Sequence, residues 1–285
     1  MNGCRYGAAF VGVAALLVPA DVFAYCRTSA CEEGQGTLCE PADPADCGVP
    51  LFWPTSCVGY VLQEDASDDF DLERTRALVR EAFATWESAD CEGGGVAIKT
   101  EDLGDVSCNQ ISYDPETKNA NVIMFRDDDW PYAGGASALA ITTVTYAVDS
   151  GEIRDVDMEI NTEHVSFSTS DGDITVDLLS ILTHEAGHFL GLGHSGVSSS
   201  TMVVEYPPES ISLRSLDDDD VAGLCAIYPP TSNAPCESEP VNGLADECGE
   251  ELGGCSCSSP RGAASSAAFA LTLFGLAFAR RKRSS

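Results

Sequence analysis

The chain has 285 residues and a formal net charge of −31, since 46 acidic residues outnumber 15 basic ones. The excess is concentrated between residues 25 and 257, where 45 acidic residues stand against nine basic ones. Electrostatic repulsion therefore excludes nucleic acid and anionic lipid as partners of this part of the chain. At this length the chain can hold one large domain or two small ones.

The N terminus, residues 1–24, has the pattern of a secretory signal peptide. Arg5 is followed by an apolar stretch over residues 8–18 and by the small-residue cleavage pattern that ends at Ala24. A membrane-spanning start is the alternative interpretation, but the apolar stretch is short for a span. We therefore predict an exported protein that is cleaved after Ala24.

Thirteen cysteines in an exported chain indicate disulfide bonds. Ten remain after removal of the signal peptide and of a C-terminal tail, and their pairing cannot be read from the sequence. Cys236 and Cys248 lie in residues 231–258, an acidic stretch that we predict to be a linker. Residues 25–48 form a short cysteine-rich segment. Five cysteines crowd the start of the mature chain: Cys26, Cys31, Cys39, Cys47 and Cys57.

The folded body is predicted over residues 49–230, and its elements follow from hydrophobic periodicity. Residues 71–89 carry apolar side chains at helical spacing, which predicts an amphipathic helix with Asp69 or Asp71 near its N-cap. The acidic run over residues 217–220 favours the start of the last helix. Strands are predicted within residues 51–63, 96–99, 121–125, 137–147 and 153–161, and further helices over residues 175–190 and 216–227.

Three carboxylates fall on one face of the last predicted strand, because side chains two residues apart point the same way. They are Asp155, Asp157 and Glu159. Three neighbouring carboxylates repel one another unless solvent or a bound cation screens their charges. A structural calcium ion is one interpretation, and a solvated outer face of the sheet is the interpretation that we favour.

The run HEAGHFLGLGH begins at His184 and predicts a catalytic zinc site. His184 and His188 are four residues apart, so they lie on one face of a helix and can bind one metal ion. Gly191 lets the chain leave the helix in a conformation that other residues resist, which brings His194 round as a third ligand. Glu185 is rotated by about 100°, close enough to act on a water at the open fourth position.

This motif resembles that of the metzincin clan of zinc endopeptidases, and the following Ser195 is similar to the matrixin branch of that clan. The resemblance extends to the helix ending AFATW and to LDDDDVAGLCAIYP near residue 230. It implies a mixed α/β (α+β) fold with a twisted five-stranded mixed sheet, three helices and an active-site cleft across the sheet edge. It also implies one catalytic Zn²⁺, Glu185 as general base, and protein or peptide substrates.

The resemblance assigns roles outside the motif as well. Met202, eight residues after the third histidine, is the candidate for the methionine that metzincins place beneath the metal, and ordinary core packing is the alternative. Tyr206 has the spacing of the tyrosine that walls the matrixin specificity pocket. By the same analogy, three residues form the edge strand that pairs with an extended substrate: Ala138, Leu139 and Ala140.

The chain departs from the matrixin pattern at three places. Val203 and Val204 follow the methionine in place of a Tyr-Pro pair, which alters the pocket wall. Residues 132–145 contain no histidine, so we predict no second zinc and interpret His164 as a surface residue. Cys47 is similar to the cysteine that blocks the metal in matrixin zymogens, but the neighbouring Arg and Asp are missing. We favour a disulfide for it over a latency role.

The C terminus combines three features: Gly-Cys-Ser-Cys at residues 254–257, an apolar run over residues 263–279, and a basic cluster at residues 280–283. Together they resemble the C-terminal sorting tails of myxobacterial surface proteins. We predict that residues 259–285 are a sorting or anchoring tail that contacts a membrane, with a plain transmembrane helix as the alternative. The protein would then be extracellular or at the surface of a Gram-negative cell.

The sequence thus predicts a secreted or surface-displayed zinc-dependent endopeptidase that acts as a monomer. In this mechanism Glu185 takes a proton from the attacking water and returns it to the leaving amine. The alternative from another class is a non-catalytic surface binding or adhesion protein on a metzincin scaffold. Proteins of that kind, which have lost catalytic activity, typically lack the glutamate or a metal ligand, and neither is missing from this sequence.

Overall fold

The computed structural model describes residues 25–29, residues 49–247 and the backbone of residues 266–275. The predicted signal peptide, the predicted disulfide of Cys47 and the Gly-Cys-Ser-Cys motif lie outside these described residues. The body that contains the HEAGHFLGLGH run lies within residues 49–247.

A mixed sheet of seven strands is the frame of this body. In chain order its strands are β1 (Cys57–Gln63), β2 (Lys99–Val106), β3 (Val122–Phe125), β4 (Ala138–Ala147), β5 (Ile153–Ile160), β6 (Glu205–Tyr206) and β7 (Ser266–Gly275). Their spatial order is β6-β7-β4-β5-β3-β1-β2. β5, β3, β1 and β2 run parallel, and β4 is antiparallel to β5. The stretch from β4 to β2 confirms the predicted five-stranded mixed sheet.

The three predicted helices are confirmed, with boundaries that their N-caps explain. They are α1 (Leu72–Glu87), α2 (Leu178–Phe189) and α3 (Asp218–Ile227). An aspartate precedes each helix, and its side chain accepts a hydrogen bond from a backbone N–H of the first turn. Two short 3₁₀ turns are also present, Gly135–Ser137 and Ser212–Arg214. Three two-stranded ladders complete the described body: Cys26–Arg27 with Leu192–Gly193, Asp90–Cys91 with Gly94–Gly95, and Phe167–Ser168 with Val176–Asp177.

Aromatic packing fastens α1 to α2. Trp86 is fully buried and donates its indole N–H to the carbonyl of Thr183, 2.7 Å away, in the turn before the first motif histidine. Phe83 stacks on Tyr60 of β1 at 4.8 Å and meets Phe189 of α2 edge-on at 5.1 Å. The aromatic stripe of α1 is therefore core packing, as predicted, and it fixes the height of α2 above the sheet.

Two predicted strands have shifted boundaries. The first begins at Cys57, because Pro54 and the turn around it interrupt the apolar run that starts at Leu51. The strand predicted over residues 96–99 instead begins at Lys99 and continues to Val106. Its sequence, KTEDLGDV, is too polar to reveal a strand, since it lies at the edge of the sheet and is only partly buried.

The prediction of a solvated carboxylate face on β5 is wrong, because loops cover that face of the sheet. Asp155, Asp157 and Glu159 are all at most 2% exposed. Arg126 forms an ion pair with Glu159 at 2.5 Å, and Asp157 accepts hydrogen bonds from backbone N–H groups, including that of Ser112 at 3.2 Å. Burial raises the pKa of Asp157 to about 7 and raises that of Asp155 well above its usual value.

Residues 231–247, part of the stretch predicted to be a linker, pack onto the body. A disulfide joins Cys236 to Cys57 at the start of β1. Further along, Leu244 and Ala245 cover a small apolar cluster on the face of β1 and β3. The segment stays on the sheet because it supplies both a covalent link and apolar contacts. A second disulfide, Cys91–Cys225, joins the hairpin after α1 to α3.

The C-terminal strand β7 changes two expectations. It pairs antiparallel with β4 along its length, from Ser266 opposite Ala147 to Phe274 opposite Ala138, so β4 is not the edge of the sheet. Pairing satisfies the backbone groups that an exposed edge leaves open. Residues 266–275, part of the stretch for which a transmembrane helix is the alternative interpretation, form a strand. In the described parts of the chain, none of the helices has the length and apolar character to cross a membrane.

Replacing Asp155 with Asn should stabilise the fold at alkaline pH. Burial raises the carboxyl pKa values, so the folded state loses stability as these groups ionise with rising pH. The loss is small near pH 4, where the folded-state carboxyl groups are protonated, and largest above pH 7. In calcium-free buffer, urea titrations should show Asp155→Asn more stable than the parent by at least about 1 kcal/mol at pH 8. The difference should shrink toward pH 4.

The exposed Asp149→Asn is the matched control for this substitution, and it should leave stability unchanged at both pH values. If Asp155→Asn is less stable than the parent at pH 8, an interaction other than protonation stabilises the buried Asp155 carboxylate. That result would contradict the prediction.

Candidate active site

Three histidine side chains converge at the C-terminal end of α2. The Nε2 atom of His188 is 3.1 Å from that of His184 and 3.2 Å from that of His194. His184 and His188 are completely buried, and His194 is 6% exposed. Among the described residues, this is the one group of three or more His, Cys, Asp or Glu side chains whose donor atoms converge.

Backbone carbonyls set the orientation of the first two imidazoles. His184 Nδ1 lies 2.7 Å from the carbonyl of Thr201, and His188 Nδ1 lies 2.9 Å from that of Leu192. Because each Nδ1 faces an acceptor, it carries the hydrogen, and the lone pair is left on Nε2. The Nε2 lone pairs of His184 and His188 therefore point toward each other, with His194 Nε2 beside them, an arrangement that a cation would stabilise.

The turn after α2 brings the third histidine into place. Gly191 has a φ of +95°, which confirms the predicted departure from the helix. The next two residues pair with Cys26–Arg27, and Thr28 Oγ1 donates to the carbonyl of Leu192 at 2.9 Å. Residues 26–28 thus brace the loop that carries His194. Cys26 is itself in a disulfide.

This donor set fits zinc. Zinc is usually tetrahedral with zinc–nitrogen distances of about 2.0–2.1 Å, which separates ligand nitrogens by about 3.3 Å. The two measured separations are close to that value. Burial lowers the pKa of His184 to about 3 and that of His194 to about 4, so the imidazoles stay neutral and able to bind metal. Calcium, by contrast, stays a prediction without a site in the described residues.

Glu185 lies beside the histidines without joining their cluster. Its side chain is completely buried, and its Oε2 accepts a hydrogen bond from Thr142 Oγ1 of β4 at 2.5 Å. Its Oε1 has no hydrogen-bond partner within the described part of the chain. Burial raises the pKa of Glu185 to about 8, and the Thr142 hydrogen bond opposes that rise.

Met202, the candidate for the methionine beneath the metal, packs against the helix that carries the first two histidines. It is 2% exposed, and its sulfur packs onto Gly187 of α2. A Cβ added to Gly187 would lie 2.2 Å from that sulfur and 2.7 Å from the ring of Trp86. Glycine is therefore the residue that allows this close approach, a packing reason that the motif alone did not reveal.

Two aspartates of α3 join this turn to the rest of the site. Asp220 accepts hydrogen bonds from Ser200 Oγ and from the N–H groups of Thr201 and Met202. Asp219 accepts one from Ser195 Oγ at 2.6 Å. Sequence reasoning explained the run at residues 217–220 by helix capping alone. The capping box is present, but the same run also orients the carbonyl that holds His184.

Tyr206 lies at the start of α2. Its hydroxyl donates to the carbonyl of Ser210 at 2.5 Å and accepts from the N–H of Asp177 at 3.0 Å. Arg214 clamps the same Asp177 carboxylate with two hydrogen bonds, of 2.6 and 2.7 Å. This clamp ties the segment after Met202 to the N-cap of α2, and no sequence pattern indicated it.

The predicted substrate-pairing residues begin β4. Ala138, Leu139 and Ala140 are buried, at 3% exposure or less. On one side β4 pairs with β5, and on the other with β7. The C-terminal end of β7 also pairs with Glu205–Tyr206 of β6, and β7 contacts α2. Strand β7 therefore lies between β4 and β6, next to α2.

Comparison with known proteins decides the family. The family model for matrixin matches residues 52–229, which is more than half of the chain. This chain belongs to the matrixin family. The match covers the whole sheet from β1 to β5, the three helices and the histidine site, so the metzincin resemblance read from the sequence is confirmed.

Curated relatives agree with this assignment. Metalloendoproteinase 4-MMP of Arabidopsis thaliana is 30% identical over 177 residues, covering 60% of this chain and 46% of that protein. Neutrophil collagenase of Homo sapiens is 32% identical over 198 residues, covering 66% and 38%. Karilysin of Tannerella forsythia is 26% identical over 179 residues, covering 62% and 33%. The matrixin described here spans just under half the length of the first of these relatives.

Replacing Gly187 with Ala should disrupt the site through packing alone. The added methyl group displaces the Met202 sulfur and the Trp86 ring, and overpacking of this kind costs about 1–3 kcal/mol. We expect a lower melting temperature and a lower zinc content after dialysis, measured by thermal unfolding and elemental analysis. Gly196→Ala is the control, because a Cβ there meets no atom within 4 Å. Parent-like zinc content and melting temperature in Gly187→Ala would contradict the packing account.

Proposed function

We propose that this matrixin is a zinc-dependent endopeptidase, with zinc held by His184, His188 and His194. The observation that carries the proposal is the convergence of three histidine Nε2 atoms beside the buried carboxyl group of Glu185. Three protein ligands leave a fourth position open, as catalytic zinc sites require. The packing of Met202 on Gly187, between the two histidines of α2, supports its assignment as the methionine beneath the metal.

Bound zinc supplies two effects: it lowers the pKa of a coordinated water and polarises the carbonyl group of the scissile bond. Glu185 takes the proton of the attacking water on its free Oε1, and the same carboxyl group then delivers it to the leaving amine. The peptide bond breaks and one water is consumed.

We propose that substrate binds in an extended conformation along β4, with Ala138, Leu139 and Ala140 as backbone partners and Tyr206 as part of the pocket wall. Support comes from β7, whose C-terminal residues pair with β4 at these positions on one side and with Tyr206 on the other. A strand can thus lie in this place and be held from both sides. Substrate and β7 compete for it, because a strand edge pairs with one partner at a time.

We propose further that the protein is exported, acts as a monomer, and reaches the surface of a Gram-negative cell. Disulfides in the body support export, since such bonds persist in oxidising compartments. Residues 259–285 would act there as the sorting or anchoring tail through their apolar and basic sequence. Contact with a membrane and pairing with β4 exclude each other, because both use residues 266–275.

Replacing Glu185 with Ala should abolish peptide cleavage and leave the metal in place. Loss of the general base is expected to lower kcat by at least about 100-fold, while zinc content stays near one per chain. The assay is cleavage of a generic protein substrate together with elemental analysis. Glu81→Gln, an exposed position on α1, is the control. Full activity in Glu185→Ala would overturn the proposed function.

Removing residues 259–285 should strengthen substrate binding. Without β7, the pairing edge of β4 is open, and we expect KM for an extended peptide to fall several-fold while kcat changes little. The matched control removes only residues 276–285 and keeps the strand over residues 266–275. Equal KM values in the two truncated proteins would contradict competition between β7 and substrate.

A further inference from the structure

The buried carboxylate of Glu185 is held by a residue 43 positions earlier in the chain. Thr142 Oγ1 lies 2.5 Å from Glu185 Oε2, and both side chains are completely buried. Oε1 has no hydrogen-bond partner among the described residues. The two oxygens of one carboxyl group are therefore in different situations: one is occupied, and the other is free.

The position of Thr142 in β4 fixes the direction of its hydroxyl. Thr142 is paired with Met158 of β5, in the middle of the β4–β5 ladder, so its backbone is held on that side by the sheet. A β-branched side chain has few χ1 rotamers, and its hydroxyl direction is settled once the methyl group is packed. At 2.5 Å the hydroxyl and the carboxyl oxygen form a direct hydrogen bond.

Other buried threonines of the site use their hydroxyls differently. Thr183 Oγ1 donates to the carbonyl of Leu179 at 2.7 Å, within its own helix. Thr201 Oγ1 donates to the carbonyl of Ser215 at 2.9 Å. These bonds satisfy a hydroxyl with a backbone acceptor, which any buried threonine can do. Thr142 instead joins a sheet residue to the one carboxylate beside the histidines.

We infer that Thr142 is a positioning residue for the proton transfer, because its hydroxyl holds Oε2 and thereby turns Oε1 toward the attacking water. This inference rests on the proposed function, since it needs Glu185 as the base. The terminal torsion of a glutamate is broad and roughly two-fold, so the side chain itself does not select this orientation. The proton passes from water to Oε1 and then to the leaving amine, and Thr142 keeps its own proton throughout.

A purely structural role predicts different kinetics from a positioning role. If Thr142 only fills and stabilises the core, its loss lowers the melting temperature and leaves the kcat of the folded enzyme unchanged. If it orients the base, its loss lowers kcat, while KM and zinc content stay near those of the parent. The hydroxyl is the group that matters, so serine should replace threonine and valine should not.

The experiment measures kcat, KM, zinc content and melting temperature for Thr142→Val and Thr142→Ser in the full chain. Thr143→Val is the matched control, because the next residue of β4 points to the opposite face of the sheet. We expect kcat of Thr142→Val to fall roughly tenfold, the size expected for a lost hydrogen bond to a charged group. KM should stay within about twofold, and Thr142→Ser should keep most of the parent kcat.

The outcomes separate this inference from the proposed function. Glu185→Ala is measured in parallel, and if it is active, the proposed function fails. If it is inactive while Thr142→Val keeps the parent kcat, or loses activity only through KM or zinc, the inference alone is overturned. If Thr142→Val does not fold, Thr142→Ala is compared with Thr142→Ser, since these differ by the hydroxyl alone. Equal kcat in that pair also overturns it.

Discussion

The constraint on which this structure depends is the burial of three imidazole rings whose Nε2 atoms converge, with that of His188 at 3.1 and 3.2 Å from the other two. Left alone, such groups would rotate apart or take up protons and move to solvent. The fold prevents both, because carbonyls of Thr201 and Leu192 hold the rings while burial keeps them neutral. A cation bound between the three rings replaces the repulsion between their nitrogen atoms with favourable coordination, which couples metal binding to the folded state.

The surrounding elements serve that arrangement from three directions. α1 fixes α2 through Trp86, so the first two histidines have a constant height above the sheet. α3 fixes the Met202 turn through Asp220, and the turn supplies the carbonyl for His184. From the sheet side, β4 supplies the hydroxyl of Thr142 to Glu185. The three histidines, Glu185 and β4 thus share one frame, in which each part restricts the movement of the next.

The local parts of this account could be predicted from the sequence. The histidine spacing, the left-handed Gly191 and the apolar stripe of α1 are properties of neighbouring residues. Contacts between distant segments could not, because no local pattern encodes which loop covers which face. The carboxylates of β5 have the pattern of a solvated surface, and the loop of Arg126 that covers them lies elsewhere in the chain. The polar edge strand β2 and the Thr142–Glu185 bond were missed for the same reason.

The central claim is that three histidines and an open position form the metal site. X-ray absorption at the zinc edge of the purified, metal-loaded protein tests it most directly, together with the same spectrum of a His194→Ala variant. The account predicts three imidazole nitrogens at about 2.0–2.1 Å and one oxygen neighbour, with one imidazole lost in the variant. A shell containing sulfur, a fourth protein nitrogen, or an unchanged spectrum in His194→Ala would contradict it.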